Sequence, residues 1–305
     1  MVNGDSPKEI INYYAMRLLT PIIAFSFLAL VASGAREKNG YGKTSCVPVR
    51  TSGGDSLAFG AGEKLTFTVH YKWGAVNSDV GTGTVSLDTV RFNGEKAFRC
   101  TVYGKTSRIY DLFFKVREDF RSWFTCDGLR PLKFTRDTQE GSYRARNTYL
   151  YDWNGDDPHI DADVYSTSSG ERSLEMPLTP CTYDLPALFF FARNMDMDNV
   201  EVGKRYPMTF AIDDDIYNVY FIMLGRETKK VKGLGNVRTV KFAAKLLAGE
   251  VFNGEEDMII WISDDDNRVP VYFEAPILVG TASGRLSAYE GLKHPFSSLS
   301  GQKKY

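Results

Sequence analysis

Lys64-Leu65-Thr66-Phe67-Thr68-Val69-His70-Tyr71-Lys72-Trp73 alternates polar and apolar side chains without a break. Leu65, Phe67, Val69, Tyr71 and Trp73 share one face; Lys64, Thr66, Thr68, His70 and Lys72 share the other. Side chains of an extended chain point to opposite sides in turn, so the stretch specifies a strand with one buried and one wet surface.

The same grammar spreads outward from it. Gly83–Val90 is rich in Thr and Val, Asn93-Gly94 signals a tight hairpin, and Phe98, Cys100 and Val102 share a face of the returning strand. Phe120–Phe124, a turn at Asp127-Gly128, and Leu132 with Phe134 follow. Tyr143, Ala145, Tyr149, Tyr151 and Trp153 fall on one face of a further strand, which ends at Asn154-Gly155. After residue 200 the rhythm returns in Tyr206–Ile212, Ile216–Leu224, Val237–Leu247, Met258–Ser263, Val269–Leu278 and Thr281–Tyr289, with a third Asn-Gly turn at Asn253-Gly254.

One segment changes period. In Asp184–Asn194, Leu185, Leu188, Phe189 and Ala192 recur at helical spacing, Thr182 or Asp184 can cap the start, and Pro186 suits the first turn. The expected fold is all-β: curved antiparallel sheets, as a half-barrel or a sandwich, with one short helix. A single β-rich domain is expected over residues 59–290, in two strand sets (59–175 and 200–290) joined by the helix at about 184–194.

The N-terminus reads as a targeting signal. Residues 18–32, LLTPIIAFSFLALVA, follow Arg17 and precede the small residues Ser33-Gly34-Ala35. Basic flank, apolar stretch and small-residue cleavage site are the parts of a secretory signal peptide, 1–35. Met16 begins that signal cleanly, so residues 1–15 read as an over-called start or an extension. Residues 36–58 read as a flexible leader and 291–305 as a tail. Lipid attachment needs a Cys directly after the cleavage site, and Cys46 lies well beyond it. No later stretch is long and apolar enough to span a bilayer, so the mature chain is expected not to be membrane-spanning. The expected location is the periplasm or cell envelope.

Hydrophobic residues at 43% and charged residues at 25% exclude disorder of the whole chain. A formal net charge of −1 leaves no bulk attraction for nucleic acid or an anionic surface. The four cysteines include no CxxC pair, and no His lies near any of them at ligand spacing, so neither metal nor cofactor is expected. His70 sits on a polar strand face, and His159 and His294 in turn-like contexts. Serine-nucleophile, zinc-protease and phosphate-loop patterns are absent from the sequence, and no catalytic residue is assigned. The acidic runs Asp213-Asp214-Asp215 and Asp264-Asp265-Asp266-Asn267 read as solvated turns rather than calcium loops. Phe67, Tyr71, Trp73, Tyr149, Tyr151 and Trp153 are the ligand-binding candidates: such rings either line a cavity for an apolar or sugar ligand or fill a core.

Several short elements, in order, resemble one bacterial family. Phe59-Gly60-Ala61-Gly62-Glu63-Lys64-Leu65-Thr66-Phe67 with Tyr71-Lys72-Trp73-Gly74 is similar to the start of domain-of-unknown-function family 3108. Phe113-Phe114-Lys115-Val116-Arg117-Glu118 resembles its aromatic-Lys-Val-Arg-Asp step, and Cys181-Thr182-Tyr183-Asp184-Leu185 the approach to its one helix. Trp261-Ile262-Ser263-Asp264 with Arg268-Val269-Pro270-Val271 resembles its final hairpin, which is also similar to one in Lol-type lipoprotein carriers. The resemblance implies an exported β-rich protein of uncharacterised role. It also implies a Cys46–Cys181 bridge, because that family tends to carry Cys at both places. Cys100–Cys126 would then be a second bridge between neighbouring strands, with free buried thiols as the alternative.

The functional expectation is an exported, non-enzymatic protein that binds a hydrophobic or envelope-derived ligand (lipid or glycan) or an envelope protein. An envelope glycan hydrolase with paired carboxylates and a structural scaffold are the alternatives. Oligomeric state is left open.

Overall fold

The structure is a computed structural model that describes residues 56–74, 76–244, 258–277 and 280–300. The expected signal peptide, nearly all of the expected leader, Cys46 and the Asn253-Gly254 turn lie outside the described residues.

Strands β1 (Lys64–Trp73), β2 (Val76–Phe92), β3 (Glu95–Thr106), β4 (Val116–Thr125), β5 (Pro131–Glu140), β6 (Tyr143–Asp152), β7 (His159–Ser166) and β8 (Gly170–Pro177) form an antiparallel meander. The four-residue helix α1 (Arg108–Asp111) interrupts the β3–β4 connection. A short β9 (Thr182–Tyr183) leads into helix α2 (Leu185–Arg193). The chain then returns through β10 (Arg205–Ile212), β11 (Asp215–Val231), β12 (Gly235–Ala244), β13 (Met258–Ser263), β14 (Pro270–Pro276), β15 (Thr281–Glu290) and β16 (Leu299–Ser300).

All these strands belong to one sheet, in the order β8-β7-β6-β5-β4-β3-β2-β1-β15-β14-β13-β12-β11-β10-β9, with β16 on β12. The first and last long strands therefore pair at its centre, Leu65 opposite Tyr289 and Tyr71 opposite Ala282. The sheet stays open, but its two wings approach: Arg172 of β8 reaches Asp214 of the β10–β11 turn at 2.7 Å. The expected all-β, half-barrel-like curvature is what the chain adopts, in place of two stacked sheets.

Local chemistry explains the register. Asn93 and Gly94 have φ of 50° and 88° between Phe92 and Glu95, which face each other. Positive φ at both central residues gives the turn whose twist matches its strands. The α2 start is set by Asp184, whose Oδ1 accepts from the Ala187 amide at 2.8 Å, with proline in the first turn. Leu185, Ala187, Phe190 and Phe191 of α2 are buried, and the helix packs on β3, β4 and β10. Phe190 lies 4.5 Å from Phe59 and 5.6 Å from Phe124 between ring centres. The helix thus fills the hollow of the curved sheet as part of its core.

The structure differs from expectation in three places. There are two helices among the described residues, because Arg108–Asp111 adds a single turn that no periodicity announces. Asp213 does not sit in a merely solvated turn: it pairs with the buried Arg136. Cys100 and Cys126 are free thiols. Cys100 is opposite Ser122 and Ala97 opposite Thr125, so Cys126 lies about four residues further along. That offset is roughly 13 Å at strand rise, about twice what a disulfide spans. Cys181 is not among the free thiols.

Candidate functional site

The six aromatic candidates do not gather round one cavity. Phe67, Tyr71, Tyr149 and Tyr151 are buried in the core. Phe67 and Tyr71 sit on β1 and Tyr149 and Tyr151 on β6, well separated in the strand order. Tyr149 packs at a tilt against Phe134, with ring centres 5.2 Å apart, and donates its hydroxyl to the Asp213 carbonyl at 2.7 Å. Trp153 is half-buried, with its indole N–H on the Pro131 carbonyl at 2.6 Å. Trp73, at the end of β1, is 41% exposed. Most of these rings therefore serve packing.

A polar cluster that sequence reading missed lies inside the curve, on β4, β5 and β6. Arg136 is fully buried, donates to Thr138 Oγ1 at 2.7 Å, and meets Asp213 Oδ1 at 2.6 Å. Thr138 in turn donates to Glu118 Oε2 at 2.5 Å. Asn147 also donates to Asp213 Oδ1 at 3.1 Å. Burial pushes the Glu118 carboxyl well above the usual carboxylate range, and the neighbouring Glu140 adds to the rise. The pair satisfies the chemical description of two interacting carboxylates, but both are buried. One network joins them to the turn that draws the wings together, which is a structural task.

A second buried carboxyl belongs to Asp184. Besides capping α2 it accepts from Ser122 Oγ at 2.8 Å. Burial raises it to about 7, with the Ala187 amide, Ser122 and Tyr151 opposing that rise.

A groove that opens to solvent lies elsewhere. It holds a cavity of about 530 Å³ between the outer face of β1–β3 and α1. Thr68 faces Thr82, and Thr82 faces Lys105, so three neighbouring strands supply its floor. Ser107, Arg108 and Asp111 form its α1 wall. Arg117 clamps Asp111 with two bonds, at 2.9 and 2.5 Å, and Thr106 also donates to that carboxylate. The hydrogen bonds from Arg117 hold the Asp111 carboxyl below its ordinary range. At the other end, the hydrogen bonds from Arg285 hold Asp79 well below it, with help from His70. His70 is thus half-buried and bound to Asp79 and Asn77, not a free surface histidine. The acids of this groove are neutralised in place, while Lys105 and Arg108 remain exposed to it.

Among the described residues one group of potential metal donors stands out. His159, Asp161 and Glu175 place one donor atom each within 4.8 Å of one another on the outer face of β7–β8. The His159 Nδ1 bonds the Asp157 carbonyl at 2.9 Å. Asp161 and Glu175 are exposed and face each other across the hairpin, as polar residues on the wet side of an edge do.

The groove and the buried cluster had a partial signal in sequence. Residues 107–114, SRIYDLFF, break the two-residue period with an apolar run, and the expected family step begins within it. Arg136 and Glu118 gave none, since charged residues at strand positions read as wet-face positions until the fold shows otherwise.

A family model described as "Protein of unknown function (DUF3108)" matches residues 66–287. No curated protein matches. Among solved structures, a beta-barrel-like protein of domain of unknown function DUF1849 from Brucella abortus is 10% identical. It superposes with a TM-score of 0.49 over 75% of this chain and 96% of its own. With a family match that runs from within the first strand to within the last long one, the chain belongs to the DUF3108 family.

Proposed function

We propose that this chain is an exported protein of the cell envelope that binds an envelope-derived ligand without transforming it. The observation that carries this reading is the groove beside α1: an open volume of about 530 Å³ with hydroxyls, two exposed cations and pre-neutralised acids. Fixed polar groups in a concave site favour a ligand with an anionic or polyhydroxylated end, a lipid headgroup or a glycan. The interior of the sheet is filled by α2 and aromatic side chains, which disfavours an apolar ligand buried beneath the helix. The hydrolase alternative gains nothing comparable, because Glu118 and Glu140 lie inside the protein, where a glycan has no approach.

Titration with glycerol phosphate and with short glycan fragments tests the groove. Binding by one of these classes is expected, and Lys105→Ala with Arg108→Ala should weaken an anionic ligand by about tenfold or more. Equal affinity in wild type and double variant would remove the groove from the proposal.

Export carries its own test. In protein isolated from the envelope fraction, peptide mapping without reductant should recover a Cys46–Cys181 linked pair, with the half-buried Cys126 alkylated in the folded protein and the buried Cys100 only after unfolding. Recovery of Cys46 as a free thiol, with residues 16–35 still attached, would contradict the proposed location.

A further inference from the structure

We infer that the α1 segment seats the protein on an anionic phospholipid bilayer. Leu112 at 82%, Ile109 at 69% and Phe113 at 62% are among the most exposed large apolar side chains of the described residues. All three belong to α1 or the residues directly after it, and α1 itself buries no residue. Within the same segment Tyr110 and Phe114 do pack against the core. The segment therefore holds itself to the sheet with two aromatic anchors and turns the other apolar groups out to solvent. The Arg117–Asp111 clamp and the Thr106 bond fix that conformation. A solvent-facing apolar tip held rigid by its own anchors has no role in packing the domain.

Its surroundings indicate what it meets. Lys105, Arg108 and Lys115 are exposed and flank the tip, and none closes an ion pair within the described residues. The nearby Asp111 is neutralised by Arg117. The β1–β2 turn projects from the same end of the sheet: Trp73 pairs with Val76 where β1 finishes, five residues along β2 from the Gly81 that pairs with Thr106 where β3 finishes. It adds exposed Trp73 and Val76. Apolar residues that protrude from a rim of cations, with a tryptophan alongside, match hydrocarbon beneath negatively charged headgroups. With a net charge of only −1 for the chain, the attraction is local to this rim.

The proposal concerns the rim alone and does not require the groove to be occupied. Flotation of the mature chain with vesicles provides the test. Vesicles of phosphatidylethanolamine with phosphatidylglycerol should bind at least about tenfold more protein than vesicles of phosphatidylcholine, and added salt should weaken binding. Leu112→Glu with Phe113→Glu should abolish binding, and Arg108→Glu with Lys115→Glu should abolish the preference for anionic vesicles. Both pairs are exposed, so circular dichroism and the melting temperature should match wild type; a glutamate pair that unfolds is replaced by Leu112→Ser with Phe113→Ser. Absence of binding to anionic vesicles overturns the inference, as does binding that survives loss of Leu112 and Phe113. A dimer in light scattering that those substitutions dissolve, without vesicle binding, would assign the tip to a second copy and overturn it too. Loss of glycerol phosphate binding in the groove with vesicle binding intact would count against the groove alone.

Discussion

Glu63→Ala is expected to lower the unfolding free energy by about 3–5 kcal/mol, the cost of leaving a buried cation without its partner. Glu63 and Arg193 bond in parallel at 2.5 and 2.9 Å, and each side chain is 1% exposed. The rest of the guanidinium is satisfied by the Asn267 carbonyl at 2.9 Å and lies against the rings of Phe59, Phe189 and Phe190. Removing the carboxylate exposes nothing to water, so no solvent replaces it. Arg285→Ala, which breaks the half-exposed pair with Asp79, should cost within about 1 kcal/mol. Urea unfolding of the two variants measures the contrast. A loss under about 1 kcal/mol for Glu63→Ala would mean that water reaches Arg193.

That ion pair decides how the helix is to be understood. Glu63 directly precedes β1, Arg193 ends α2, and Asn267 sits in the β13–β14 turn. One guanidinium thus ties the helix to the first strand and to the second half of the meander. Neighbouring bonds repeat the tie: the Ala58 amide donates to Asn194 Oδ1, and Asn267 exchanges bonds with His294. A helix held this way at its C-terminal end behaves as a plug. A carrier that opened by swinging it would first have to separate a buried charge pair.

Many of the individual strands were legible because period two is a local property, whereas the order in which they pair, with the first long strand beside the last, was not. Leu65 to Tyr71 reads as a one-sided strand whatever lies beside it, and Asn93-Gly94 dictates its own turn. The helix was legible almost to the residue, since a capping acid, a first-turn proline and helical spacing all coincide at 184–194. The β7–β8 hairpin was not, because its outer face carries Asp161, Asp163 and Glu175 and its apolar face only short runs such as Ile160, Ala162 and Val164. The site was far less visible. The groove takes its walls from β1, β2, β3, α1 and β4, and residues as distant in sequence as Thr68 and Arg117 become neighbours only through pairing registers. Most of the aromatic residues chosen for their type proved to be core, whereas the two most exposed large apolar groups, Leu112 and Ile109, lay at the one-turn α1.

Asp184→Asn is expected to leave the fold intact and to remove a pH dependence of stability. Asn caps helices about as well as Asp, and here its oxygen can keep the bond from the Ala187 amide. The Asp184 carboxyl sits at about 7 in the folded protein against 3.8 for a solvated aspartate, because burial disfavours its charge. Between those values the folded chain holds a proton that the unfolded chain has released. The contribution of Asp184 is therefore greatest below about pH 4, declines as pH rises and levels off above about pH 7. Three pH units correspond to about 4 kcal/mol at most, and an Asn cannot lose it. Glu118, whose carboxyl is also raised by burial, moves stability in the same direction, and Asp79 and Asp111 move it in the opposite one at lower pH. All three are present in both proteins and cancel in the difference. Denaturant unfolding at pH 5 and pH 8 should accordingly show Asp184→Asn gaining on wild type by up to about 3 kcal/mol across that interval. Equal differences at the two pH values would mean that the helix cap is charged and solvated at neutrality, and that the hollow of the sheet is wetter at this end than its packing implies.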